Sequence, residues 1–160
     1  MKKYKYTLLV FFACLFVACS DDNEQVNKKP DNNENGERFE FVGQVVASNG
    51  YVQQGVKANF YKNDTNDSYI IYLDRVTFSE LMPMVSFELK DLLPQINDRD
   101  TLIVMDSIIP YWNNFPVSSM ILYNFEAKVT ADSLTFTSEG GTSSMEGVTS
   151  LSYRAIRIKE

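Results

Sequence analysis

From Phe39 onward the chain alternates between apolar and polar positions. Phe39, Phe41, Val45 and Ala47 are interleaved with Glu40, Gln44 and Val46, the period of a strand with one buried face. Asn49-Gly50 follows, a pair favoured in two-residue hairpin turns because both central residues there need positive φ. Val52, Gln54, Val56, Ala58 and Phe60 then alternate with Gln53, Lys57 and Asn59, predicting a second strand. The polar run KNDTNDS at 62–68 predicts the next turn, and Tyr69 to Phe78 a third strand with apolar residues on both faces. Val85, Phe87 and Leu89, set against Ser86, Glu88 and Lys90, predict a fourth.

Leu102 to Ile109 reads as a fifth strand. Met120 to Val129 reads as a sixth, with Ile121, Tyr123, Phe125, Ala127 and Val129 on one face. Leu134 and Phe136 mark a short seventh, and EGG at 139–141 turns the chain into a last strand within Ser144 to Ile158. No window holds a convincing helix, although FSELM before Pro83 has room for one turn. Eight short strands separated by polar turns predict an all-β domain over residues 38–160: an eight-stranded antiparallel up-and-down barrel, with a β-sandwich as the alternative.

The first 37 residues follow other rules. Lys2, Lys3 and Lys5 precede Leu8 to Ala18, eleven residues without a charge, where about 20 are needed to span a bilayer. A basic start, a short apolar core and small residues before a cut site describe a secretory signal peptide at residues 1–18. Leu15-Phe16-Val17-Ala18-Cys19 resembles the lipobox of bacterial lipoproteins, with Phe16 where that pattern has Leu. The resemblance implies cleavage before Cys19 and acylation of its thiol and new amino group, so that membrane lipid is the first partner. An ordinary signal peptide cut elsewhere is the alternative. Cys14, the other cysteine of the chain, falls inside the leader, which leaves Cys19 without a disulfide partner. Several acyl chains, each adding about 0.8 kcal/mol per buried CH₂, make a durable anchor.

Ser20, Asp21 and Asp22, followed by Asn23 and Glu24, resemble the signal that exports Bacteroidetes lipoproteins across the outer membrane to the cell surface. The periplasmic face of that membrane is the alternative location. Residues 20–37 hold a single aliphatic residue, Val26, amid charge, amide, Pro and Gly, a composition that cannot bury enough surface to fold. As a flexible coil this acidic linker would average roughly 25 Å end to end.

The opening strand FVGQVVAS, the strands YIIYLDRVTF and TLIVMDSIIP and the closing TSSMEGVTSL, placed behind such a leader, resemble the small calycin-like (lipocalin-like) lipoproteins of Bacteroidetes over about residues 38–158. The resemblance implies the up-and-down barrel and supplies no catalytic or binding residues.

The chain has 15 basic and 21 acidic side chains, a formal charge of −6, and losing the three leader lysines makes it more acidic still. Such a domain repels phosphate backbones, which argues against nucleic acid as a partner. There is no histidine. Ser-His-Asp and Cys-His nucleophilic arrangements and zinc sites built on those ligands are therefore excluded, and neither a metal nor another cofactor is expected.

Asp74 is placed by alternation with Ile70, Tyr72, Val76 and Phe78, and Asp106 with Leu102, Val104 and Ile108. If those faces point inward, each acid is a costly buried charge and a candidate functional group. The plainer reading sets both at a rim or across a bulge facing water. NDTNDS at 63–68 offers several oxygen donors, but it lacks the Gly and distal Glu of a calcium loop, so a polar hairpin tip is expected. Asp100-Thr101, Asp106-Ser107 and Asp132-Ser133 each resemble the short O-glycosylation acceptor of exported Bacteroidetes proteins.

IPYWNNFPVSS at 109–119 is the binding candidate. Tyr111, Trp112 and Phe115 sit between Pro110 and Pro116 in what reads as a loop, and Trp112 is the only tryptophan. Such rings can stack on sugars, plug a barrel mouth or anchor a partner protein; capping the domain's own core is the structural alternative. Large residues at Phe41, Phe60, Phe87, Tyr123, Phe125 and Phe136, if all inward, would nearly fill an eight-stranded barrel. The expected function is that of a non-catalytic outer-membrane lipoprotein, binding a small apolar or glycan ligand or an outer-membrane protein at an aromatic loop end. The alternatives are an accessory subunit of an outer-membrane complex and, behind it, a hydrolase working through carboxylates.

Overall fold

The alternation from Phe39 becomes strand β1 (Arg38–Ala47), and ten more strands follow. They are β2 (Val52–Lys62), β3 (Tyr69–Val76), β4 (Val85–Leu92), β5 (Pro94–Ile96), β6 (Thr101–Ile108), β7 (Tyr111–Trp112), β8 (Phe115–Pro116), β9 (Leu122–Val129), β10 (Ser133–Gly140) and β11 (Ser150–Arg157). The computed structural model describes residues 37–80, 82–96, 100–140 and 148–159. The leader, Cys19 and the Ser20-Asp21-Asp22 signal lie outside the described residues, as does most of the linker.

All pairings are antiparallel and belong to one sheet, in the order β5-β6-β9-β10-β11-β1-β2-β3-β4-β7-β8, and the described residues contain no helix. A single sheet replaces the sandwich alternative. It curls as a half-barrel, with one face turned onto a common core. Only Leu93 separates β4 from β5, yet those strands stand toward opposite ends of the hydrogen-bonded order. The curl must therefore bring the two sides of the sheet back toward each other.

Eleven strands appear instead of eight for two local reasons. The run from Val85 breaks at Leu93, so that β4 pairs with β3 while β5 pairs with β6. The loop after β6 contains a hairpin of its own, β7–β8.

The core contains Phe41, Phe60, Phe87, Phe125 and Phe136, all nearly fully buried, together with Tyr153. Phe136 lies 5.3 Å from the Tyr153 ring and 5.5 Å from Phe125, and Phe60 stacks on Tyr69 at 4.8 Å between centroids. Offset ring pairs of this kind add to what their buried area alone contributes. Tyr153 also donates its hydroxyl to the Val56 carbonyl at 3.0 Å, which satisfies a backbone acceptor beside an irregularity in the β1–β2 ladder.

That irregularity corrects a prediction. Gly43 faces Val56 and Gln44 faces Gln54, so Gly55 is an extra residue with φ of +72°, a bulge that glycine enters without steric cost. One extra residue reverses the alternation. Val52 and Gln54, expected on the buried face, are exposed instead. Gln53 is turned to work in their place: its carboxamide donates to the Arg75 carbonyl at 2.9 Å and accepts from the Thr77 amide at 2.8 Å.

Similar breaks recur at non-glycine residues with positive φ. Arg75 (φ +50°) separates inward Leu73 from inward Val76, and Asp91 (φ +57°) separates Leu89 from Leu92. Asn124 (φ +48°) does the same between Leu122 and Phe125. Tyr123, expected to point inward, is therefore 41% exposed, while Leu122 takes the core position. Bulges increase local twist and bend, so each break in alternation is also a place where the sheet can curl.

Candidate functional site

The aromatic segment occupies the connection from β6 to β9. Register places Ile108 beside Leu122 at the end of the sheet opposite to Arg38, where the chain enters β1. From there the segment folds back along β4. Pro110 is buried, and its carbonyl accepts from the Val117 amide at 2.8 Å, closing the base of the hairpin. Tyr111 pairs with Pro116 and Trp112 with Phe115, leaving Asn113 and Asn114 as a two-residue turn. Both asparagines have positive φ, +49° and +66°, the requirement of a type I′ turn, which asparagine meets more readily than other non-glycine residues.

Lys90 braces this hairpin against β4. Its ammonium contacts the Glu88 carboxylate at 2.8 Å, donates to the Asn114 side-chain oxygen at 2.9 Å and lies 5.0 Å from the centre of the Tyr111 ring. Glu88 is also the residue of β4 that pairs with Tyr111. The brace joins both strands' neighbourhoods and the turn, so the hairpin is held at its tip as well as at its base.

Of the three rings, Tyr111 is half-buried, whereas Trp112 is 50% and Phe115 75% exposed. They face water rather than capping the core. As directly opposed residues of a hairpin, they stand roughly 5 Å apart at Cβ and form one apolar step. The edge beyond them is a poor strand acceptor. With Trp112 and Phe115 as the pair closing a two-residue turn, Phe115 bonds back to β7, and Pro116 has no N–H to offer outward. Whatever meets this hairpin meets its rings.

Asp74 and Asp106 lie on strands that do not pair, β3 and β6. Asp74 lies outward on β3, half-buried, and accepts a hydrogen bond from the Ser86 hydroxyl at 3.1 Å. The Arg75 bulge beside it sends Val76 inward. Asp106 is exposed on β6. No strand pairing brings the two together.

At 63–68 the polar oxygens are consumed locally. Asn63 accepts from the Thr65 amide, Asn66 accepts from the Ser68 amide, and Lys62 pairs with Asp67 at 2.9 Å. That pairing raises the Lys62 pKa and lowers that of Asp67. Among the described residues no group of three or more Asp, Glu, His or Cys is placed to hold a metal ion. Of the three Asp-Ser/Thr acceptors, Ser107 is exposed, whereas Thr101 and Ser133 are half-buried, with the Ser133 hydroxyl 2.9 Å from that of Thr130.

No family model, curated protein or solved structure matches this chain.

Proposed function

We propose that this chain is a non-catalytic, lipid-anchored protein of a bacterial outer membrane whose head binds a partner through the Trp112–Phe115 step. The observation that carries the reading is the pair of large rings held in water on a hairpin braced by Lys90. An exposed tryptophan costs solubility, and rigid presentation reduces the ordering cost of a bound state; interface anchors have both properties. Burial of Phe41, Phe60, Phe87, Phe125 and Phe136 inside the curl favours binding outside it over an internal ligand.

The head itself is an eight-stave barrel in this reading. β4 and β5 count as one stave bent at Leu93, and β7–β8 is an appended hairpin. The remaining strands then pair in chain order, with β11 returning to β1. That is the up-and-down arrangement of calycin-like heads.

Photocrosslinking in intact cells tests the site. With Phe115 replaced by p-benzoylphenylalanine, the full chain should form a discrete adduct, and Trp112→Ala in the same background should lower its yield at least about tenfold, the scale of a hot-spot residue. Thermal stability should move by no more than about 0.5 kcal/mol, since both rings are surface substitutions. An adduct unaffected by Trp112→Ala sinks the reading.

Location has a separate test. Protease added to intact cells should remove the head of the wild type and spare that of an Asp21→Ala/Asp22→Ala variant. Equal protection of both would place the head in the periplasm.

A further inference from the structure

The outer face of the sheet carries a second feature, independent of the hairpin. Register aligns Gln54, Gln44, Arg154, Thr135 and Lys128 in one outward row across β2, β1, β11, β10 and β9. The row holds two cations and no carboxylate, in a chain whose acids outnumber its bases. Lys128 is occupied by Asp100 at 2.7 Å. Arg154 is exposed, and among the described residues no ion pair or hydrogen bond engages its guanidinium.

A groove of about 430 Å³ runs beside it, lined by Arg154, Gln44, Gln54 and Thr135, with Val42 and Ile156 as an apolar wall. Gly43 and Gly55 also border it. Gln54 donates to the Gln44 side-chain oxygen at 2.7 Å, which fixes the Gln44 amide and leaves its N–H groups for another acceptor. Ile156 is 68% exposed, a large aliphatic surface beside the Arg154 guanidinium.

We propose that this groove binds a small carboxylate whose body has one apolar face. The planar fork of Arg154 matches a carboxylate through two parallel N–H···O bonds. Thr135 and the Gln44 amide complete the polar side, and Val42 with Ile156 receives the carbon skeleton. A sugar acid and a short alkyl acid share this chemistry.

Calorimetric titration of the full chain distinguishes the two sources, using sodium glucuronate, sodium hexanoate and uncharged methyl glucoside as probes. At least one acid should bind, methyl glucoside should not, and added salt should weaken the binding. Arg154→Gln should weaken the bound acid at least tenfold, and Arg154→Lys should retain part of the affinity. Gln44→Ala provides a second variant should Arg154→Gln lower the urea midpoint. Binding of glucuronate alone assigns a sugar acid, of hexanoate alone an alkyl acid, and of both a general carboxylate site. Failure of both acids to bind overturns the proposal, as does equal affinity in Arg154→Gln or equal binding of methyl glucoside.

Discussion

Gly43→Ala should destabilise the head by several kcal/mol, a large part of the roughly 5–15 kcal/mol that holds a domain together. A Cβ at this position would lie 2.0 Å from the Arg154 carbonyl oxygen and 2.5 Å from both Cα and Cβ of Ala155. The obstructing atoms are mostly backbone of β11, so no side-chain rotation relieves the clash. The β1–β11 ladder would have to part at its middle, where Gly43 pairs with Ala155, and overpacking in a tight site typically costs about 1–3 kcal/mol or more.

Gly55→Ala is the control. Its φ of +72° penalises a side chain, yet a Cβ there meets nothing within 4 Å, so the cost should be about 1–2 kcal/mol from conformation alone. Urea unfolding compares the two. If Gly43→Ala lowers the midpoint no further than Gly55→Ala, the close approach of β1 and β11 is not what holds the ladder.

The second large effect is alkaline instability centred on Tyr153. Full burial pushes its phenol far above the ordinary tyrosine range. Tyr61, half-buried, is pushed up to about 12, first by burial and then by the Glu88 charge, against a lowering by Arg38. A raised folded-state pKa favours the neutral phenol in the fold. The associated stability is fully present below the unfolded value near 10 and is lost as pH climbs through the folded value. Stability should therefore hold to about pH 10 and fall beyond it, by up to about 1.4 kcal/mol per pH unit from Tyr153.

Tyr153→Phe separates this effect from other alkaline changes. At pH 8 the variant should be less stable by about 1–3 kcal/mol, because the Val56 carbonyl loses its partner. Above pH 10 its stability should fall less steeply than that of the wild type. Urea midpoints from pH 8 to 12, with phenolate absorbance followed alongside, measure both. Parallel declines in the two proteins would remove Tyr153 from the explanation.

How far the sequence could be read depended on where alternation persisted. Phe41, Val45 and Ala47, or Leu134 and Phe136, obey period two without interruption, and their strands and inward faces were legible. Val52, Gln54 and Tyr123 were assigned to the wrong face because a single inserted residue upstream or downstream reverses every side chain beyond it. At Gly55 the signal was present, since an isolated glycine within a strand often marks a bulge. At Arg75 it was not: arginine does not announce positive φ, an aspartate such as Asp91 does so only weakly, and the ladder partners of both lie elsewhere in the chain.

The candidate site divides similarly. Tyr111, Trp112 and Phe115 stood out as aromatics in a turn-rich segment, and Asn113-Asn114 could have suggested the tight hairpin. The Lys90 brace could not be foreseen, because it depends on β7 adding to the edge of β4. The Arg154 row was equally hidden: Gln44, Arg154 and Thr135 come together only through the register of β1, β10 and β11.

The pairing of β1 with β11 also imposes an order in time. β1 can pair with β2 once residues to Lys62 are free to fold, but its other edge waits for β11. Before β11 is in place the domain therefore passes through a stage in which most strands exist and a long flank of β1 is bare, the kind of edge on which chains aggregate. A truncation just before Ser150 would freeze the chain at that stage. It would remove one strand in sequence, but in consequence the join between the two halves of the sheet.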